Sequence, residues 1–174
     1  MPLPKRKNTR LADYSYSNGG SYFLTICTKG KVRILSHIEP GTEGDYPYNG
    51  DGLYVRVVLS DYGKIAEKFL LMANRSKNLR VERYVIMPNH IHLIATVFED
   101  EWQEKKTPPS ETVACFLSMF KRQCNKAIGV SIFQRGANDH VIRNIKDREA
   151  VEHYMLYNPA HWYFRETREN SNHL

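Results

Sequence analysis

Apolar positions along this chain follow two periodicities. Residues 21–28 (SYFLTICT) are rich in aromatic and β-branched side chains and predict a strand. Two more β-rich runs, 79–87 and 90–97, are parted only by the turn pair Pro88-Asn89 and predict a hairpin or two adjacent strands. Helical spacing replaces this over residues 61–75, where Ser60 or Asp61 can cap and Ile65, Phe69 and Met72 recur every three to four positions. A second helix opens at Ser110 and carries Val113, Phe116, Leu117, Phe120, Cys124 and Ala127 on one stripe. A short strand over 140–143 and a third helix over 146–158 follow. Pro159 should stop that helix, because the residue before a proline avoids helical ψ.

Two segments break the pattern. Residues 38–52 are dense in Gly, Pro, Asp and Asn and read as a surface loop or hairpin excursion, with a candidate strand at 53–59 behind it. Residues 99–109 are charged, end in Pro108-Pro109 and read as a loop. The order strand, helix, two strands, helix, strand, helix predicts an α+β fold, an antiparallel sheet with helices packed on it. A length of 174 residues suits one domain. It is divided here into an arm (1–20) ending in Ser17-Asn18-Gly19-Gly20, a domain (21–165) and a tail (166–174).

Composition narrows the class. With 41% hydrophobic and 25% charged residues, the chain is neither disordered throughout nor collagen-like. No run approaches the roughly 18 apolar residues of a membrane span, so no membrane partner is expected. The basic first ten residues have no apolar run behind them and do not form a secretory signal. Cys27, Cys115 and Cys124 are odd in number and lack CxxC spacing. They fit small buried thiols in a reducing cytoplasm better than a disulfide or zinc framework.

Charge is the first clue to a partner. The net charge is +6, and it is uneven. Lys5, Arg6, Lys7 and Arg10 crowd the N-terminus. Lys121, Arg122, Lys126, Arg135, Arg143, Lys146 and Arg148 face only Asp139 and Asp147 between positions 121 and 148. Clustered cations are what a polyanion-binding face needs. A solvated surface with a free arm would look the same.

Two motifs suggest chemistry. In His90-Ile91-His92 the strand alternation turns both imidazoles to one face, about 7 Å apart along the strand and able to converge on a divalent cation. The same spacing also fits two surface histidines. Tyr154 and Asn158 lie four residues apart, on one face of the last helix. A phenol beside a carboxamide fits a nucleophile next to a third metal ligand. It also fits a packing residue and a helix cap.

Together, Met87-Pro88-Asn89-His90-Ile91-His92 and the later Tyr154-Met155-Leu156-Tyr157-Asn158-Pro159 resemble the single-tyrosine HUH nucleases, and within them the REP-associated tyrosine transposases. The resemblance runs over most of the chain through residues 22–28, Leu59-Ser60-Asp61-Tyr62-Gly63, Phe120-Lys121, Asp139-His140-Val141-Ile142-Arg143-Asn144 and Trp162. Where that family usually has an aromatic pair before Asp139-His140, this chain has Ala137-Asn138, and its 38–52 excursion is longer and more polar.

The resemblance implies a ferredoxin-like HUH fold and a metal-dependent transposase that cleaves and rejoins single-stranded DNA beside palindromic hairpins. His90, His92 and Asn158 would hold Mg²⁺ or Mn²⁺. Tyr154 would attack the phosphate to give a 5′-phosphotyrosine, and Tyr157, about 100° around the helix from Asn158, would not. The DNA contacts would be Lys5, Arg6, Lys7, Arg10, Lys121, Arg122, Lys126, Arg135, Arg143 and His140, the last open to a supporting or packing role. A cytoplasmic, nucleoid-associated location and a homodimer are compatible with this. Two other classes stay open: a DNA-binding module without transposition activity, and a phosphohydrolase whose HxH metal activates water.

Overall fold

The computed structural model describes residues 20–48, 50–98 and 109–171. The basic arm, with Lys5, Arg6, Lys7 and Arg10, and residues 99–108 of the expected charged loop lie outside the described residues.

Four strands build the main sheet: β1 (Gly20–Cys27), β5 (Leu79–Met87), β6 (His90–Val97) and β7 (Asn138–Ile142). Their order across the sheet is β5-β6-β1-β7, with every pair antiparallel. Helix α1 (Asp61–Ala73) lies in sequence between β1 and β5, and α2 (Pro109–Ile128) between β6 and β7. This is the βαββαβ arrangement of a ferredoxin-like fold, so the expected α+β class is observed. The 38–52 excursion proves to be structured: β2 (Ser36–Pro40), β3 (Tyr46–Tyr48) and β4 (Leu53–Leu59) form a second sheet in the order β2-β4-β3.

Alternation along the central strands creates two cores. Leu24, Ile26, Ile91, Leu93 and Ala95 face α1 and α2, where they meet Ala66, Leu70, Val113, Phe120 and Cys124. The other face carries Val85, Met87, Ile94 and Ile142 and is covered by α3 (Ile145–Ser171) through Val151 and Met155. Cys124 is buried as expected, whereas Cys27 is only half-buried and Cys115 is exposed.

Helix α3 corrects the expected boundary. It passes through Pro159 to Ser171, so residues 166–171 are helix rather than tail. An interior proline removes one i→i−4 hydrogen bond, at a cost of about 3 kcal/mol. Burial of Pro159 and Ala160, and packing of Trp162 into the second core, offset that cost.

The buried stripe of α1 is also rotated from the expected one. Gly63, Ala66 and Leu70 are buried, while Met72 is exposed and Phe69 packs at the margin. Ser60 caps the helix, accepting from the Gly63 N–H at 3.1 Å. A Cβ on Gly63 would lie 2.0 Å from the Leu35 carbonyl oxygen. This close approach sets the rotation. Helix propensity alone favours Gly63→Ala by about 1 kcal/mol. The expected result is instead a loss of about 2–3 kcal/mol, because the clash is with backbone. Urea unfolding of the two proteins gives the sign directly, and a gain in stability would remove the packing argument.

Candidate active site

The β5–β6 hairpin positions the histidines. Its turn is fixed by Leu35 N–H donating to the Pro88 carbonyl at 3.0 Å and Thr28 N–H to the Asn89 carbonyl at 2.9 Å. Along β6, Ile91, Leu93 and Ala95 fill the core under α1 and α2, so His90, His92 and Ile94 turn toward α3. In register, His92 lies opposite Thr25 and His90 opposite Cys27.

The two imidazoles meet edge to face, with Nε2 of His90 2.9 Å from Nε2 of His92. Two ring nitrogens at that distance must share a proton or a cation between them. The outer nitrogens decide which state is available. Asn89 Nδ2 donates to the Lys31 carbonyl, which turns its Oδ1 to His90 Nδ1 at 2.6 Å. His90 Nδ1 is therefore the donor, and its Nε2 carries the lone pair. His92 Nδ1 lies 3.0 Å from Thr25 Oγ1, a hydroxyl that can donate or accept. His92 can then protonate Nε2 and donate to His90, or protonate Nδ1 and present a second lone pair.

Helix α3 supplies the third side. The Tyr154 hydroxyl lies 3.3 Å from His92 Nε2, and its ring packs edge-on against His92 and Phe23. Phe23 itself stacks on His92 with centroids 5.1 Å apart. Tyr154 is still 47% exposed, which leaves the phenol open to a large substrate. Two turns further on, the Trp162 ring lies 5.8 Å from His90. Asn158 falls midway between Tyr154 and Trp162 on that stripe. Its Oδ1 is buried and lacks a hydrogen-bond partner among the described residues. Because the helix runs on, Asn158 is not a cap.

Burial, then the charges of Lys31 and Arg165, push His90 down to about 4. Burial, then His90, pushes His92 down to about 3. Both imidazoles are thus neutral near pH 7, the form in which they serve as ligands. Among the described residues, no group of three or more His, Cys, Asp or Glu side chains comes together to hold a metal.

No protein-family model matches the chain. An uncharacterized protein of Haemophilus influenzae is 26% identical, over 90% of this chain and 89% of its own. Among solved structures, a REP-associated tyrosine transposase bound to a REP hairpin superposes with a TM-score of 0.54 at 18% identity, over 87% of this chain and 73% of that one. The chain has the fold of that transposase.

Within this fold, the expected functional residues are divided between two layers. His90, His92, Tyr154 and Asn158 share the α3 side. Arg122 and Lys126 are exposed but ride on α2, which covers the opposite face of the sheet. Lys121 is half-buried. Its ammonium donates to the carbonyls of Gln134 at 2.9 Å and Gly136 at 2.7 Å, tying down the approach to β7. Arg135 and Arg143 are exposed in the loops before and after β7. His140 pairs with the Asp147 carboxylate at 2.9 Å, and Asp147 also accepts from the Arg143 N–H. That bonding ties His140 to the start of α3. No helix among the described residues is long and apolar enough to cross a membrane.

The sequence reading missed Thr25 and Asn89, which orient the rings, and the cations Lys31 and Arg165 beside them. Only the strand register places Thr25 against His92. Trp162 was visible as a motif residue, but its position over His90 follows from a helix that continues past Pro159.

Proposed function

We propose that this protein is a metal-dependent nuclease and strand transferase for single-stranded DNA beside a hairpin, acting through a 5′-phosphotyrosine on Tyr154. The observation that carries the reading is the Tyr154 hydroxyl standing 3.3 Å from His92 Nε2, in a neutral imidazole pair whose Nε2 atoms are 2.9 Å apart. The donor set fits a small divalent ion. Two ligands about 2.1 Å from an octahedral ion and at right angles lie about 3 Å apart. Asn158 Oδ1 is a buried acceptor without a partner among the described residues, a state that costs about 1–3 kcal/mol unless something fills it. Mg²⁺ or Mn²⁺ bound there would supply Lewis-acid stabilisation to the scissile phosphate.

The chain's own groups do the rest. Asn89 and Thr25 hold the outer ring nitrogens, so both inner nitrogens can present lone pairs. Phe23 and His92 grip the Tyr154 ring and aim its oxygen. As that oxygen bonds to phosphorus, the bond from phosphorus to the 3′-oxygen breaks. The phenol loses its proton and the departing 3′-oxygen gains one. The covalent link conserves the phosphodiester for rejoining. The hairpin bound by the transposase of the same fold supports hairpin DNA as the substrate class.

Incubation with Mn²⁺ and a hairpin carrying a labelled single-stranded flank should yield a protein–DNA adduct that survives denaturing electrophoresis. Cleavage with no adduct would make the protein a phosphohydrolase instead. Binding with neither product would make it a DNA-binding module.

A further inference from the structure

Beyond the imidazole pair, the C-terminal half of α3 and the second sheet enclose a cleft of about 410 Å³. Tyr48, His161, Trp162, Phe164, Arg165 and Arg168 line it, and Asn158 is shared with the histidine site. Its volume lies within the roughly 300–1,000 Å³ of ligand sites. Tyr48 and Phe164 pack with centroids 4.2 Å apart, and Tyr48 meets His161 edge-on at 5.5 Å. The Arg165 guanidinium lies 5.2 Å from the Trp162 centroid. Neither Arg165 nor Arg168 has an ion-pair partner among the described residues, whereas the neighbouring Glu166 is held by Arg33 at 2.9 Å. The Trp162 indole N–H is buried with no acceptor among the described residues. Aromatic planes beside unneutralised arginines are the combination that holds unpaired bases and their phosphates.

We propose that this cleft is a nucleotide subsite. It receives one unpaired base of the single strand adjoining the cleaved phosphate, against Tyr48 and Phe164, with the neighbouring phosphate on Arg165 and Arg168. The assignment rests on the DNA-processing role proposed above. Position supports it: Asn158 is about 6 Å along the helix from Tyr154, and Arg165 about 16 Å, so a strand reaching the phenol continues over the cleft. Without the inserted β3 strand, Tyr48 would be absent and one wall would be missing.

The test uses the full chain, a fluorescent hairpin with a single-stranded flank, and the same hairpin with blunt ends. Wild-type protein should bind the flanked hairpin about tenfold more tightly, the size expected for one stacked base. Tyr48→Ala should erase that preference, and Tyr48→Phe should keep it. Arg168→Ala, which removes an exposed side chain with no packing role, should weaken flanked binding several-fold and lower the salt slope by about one. Thermal unfolding of each variant separates a lost contact from a lost fold. Unchanged preference in both Tyr48→Ala and Arg168→Ala would overturn the subsite, as would equal weakening toward blunt and flanked DNA. A free deoxynucleoside monophosphate should not compete at matched nucleotide concentration; displacement by it would make the cleft a mononucleotide site instead. If the subsite alone is wrong, the covalent adduct still forms. If neither hairpin binds, the DNA-processing reading and the subsite both fall.

Discussion

Replacing Tyr154 by phenylalanine is expected to reduce DNA cleavage to background while leaving the fold intact. The ring keeps its edge-on contacts with Phe23 and His92, and only the 3.3 Å contact to His92 Nε2 is lost. Loss of one such half-exposed hydrogen bond changes stability by about 1 kcal/mol or less. The catalytic effect is of another order, because no neighbouring group can replace a covalent nucleophile. Tyr157→Phe is the control. Tyr157 packs against His153 with centroids 4.4 Å apart, around the helix from the imidazoles, and its removal should leave activity unchanged. An oligonucleotide labelled on the 3′ side of the cut, run on a denaturing gel, reports the adduct directly. Label retained on Tyr154→Phe but lost from Tyr157→Phe would transfer the role to Tyr157.

Truncating His92 to alanine should abolish Mn²⁺-stimulated cleavage, by about a hundredfold or more, yet leave hairpin binding within a few-fold of wild type. Affinity for a polyanion comes mainly from cations, and His92 is neutral in the folded protein. A second readout does not depend on activity. An ion that binds only the folded state raises the unfolding temperature, equivalent to about 2.7 kcal/mol at a hundred times its Kd. Wild-type protein should show that rise with Mn²⁺, and His92→Ala should not. Undiminished Mn²⁺-dependent cleavage by the variant would end the metal-site reading.

The sequence made the strands around the histidines legible because β6 is long and bounded by Pro88-Asn89, and its alternation puts His90 and His92 on one face without further information. Tyr154 and Asn158 were legible for the same reason at helical period. The partners of those groups were not. Thr25 meets His92 only through the pairing of β1 with β6, a contact across 67 residues of sequence. Residues 38–52 read as a loop or hairpin because Gly, Pro and Asp dominate them, and β2 and β3 there pair with the expected strand β4 behind them. Tertiary contact with α3 outweighs poor local propensity. Pro159 misled in the same way: its local penalty is real, but burial on the sheet side of α3 exceeds it. Charge alone could not show that Lys121 donates to two backbone carbonyls, since a count of cations does not say where the ammonium ends.

The long last helix is a beam gripped near both ends. Near its start, Arg148 and Glu152 bind Glu82 and Arg83, which a bulge between Val81 and Arg83 turns toward it. Near its far end, Tyr48 of the second sheet clasps His161 and Phe164. Tyr154 and Asn158 stand at mid-span. Support on both sides opposes tilting of the stretch that carries phenol and carboxamide, beside which Pro159 removes a hydrogen bond from the helix. The inserted strands thereby add a second support to a helix whose first half is already packed on the main sheet.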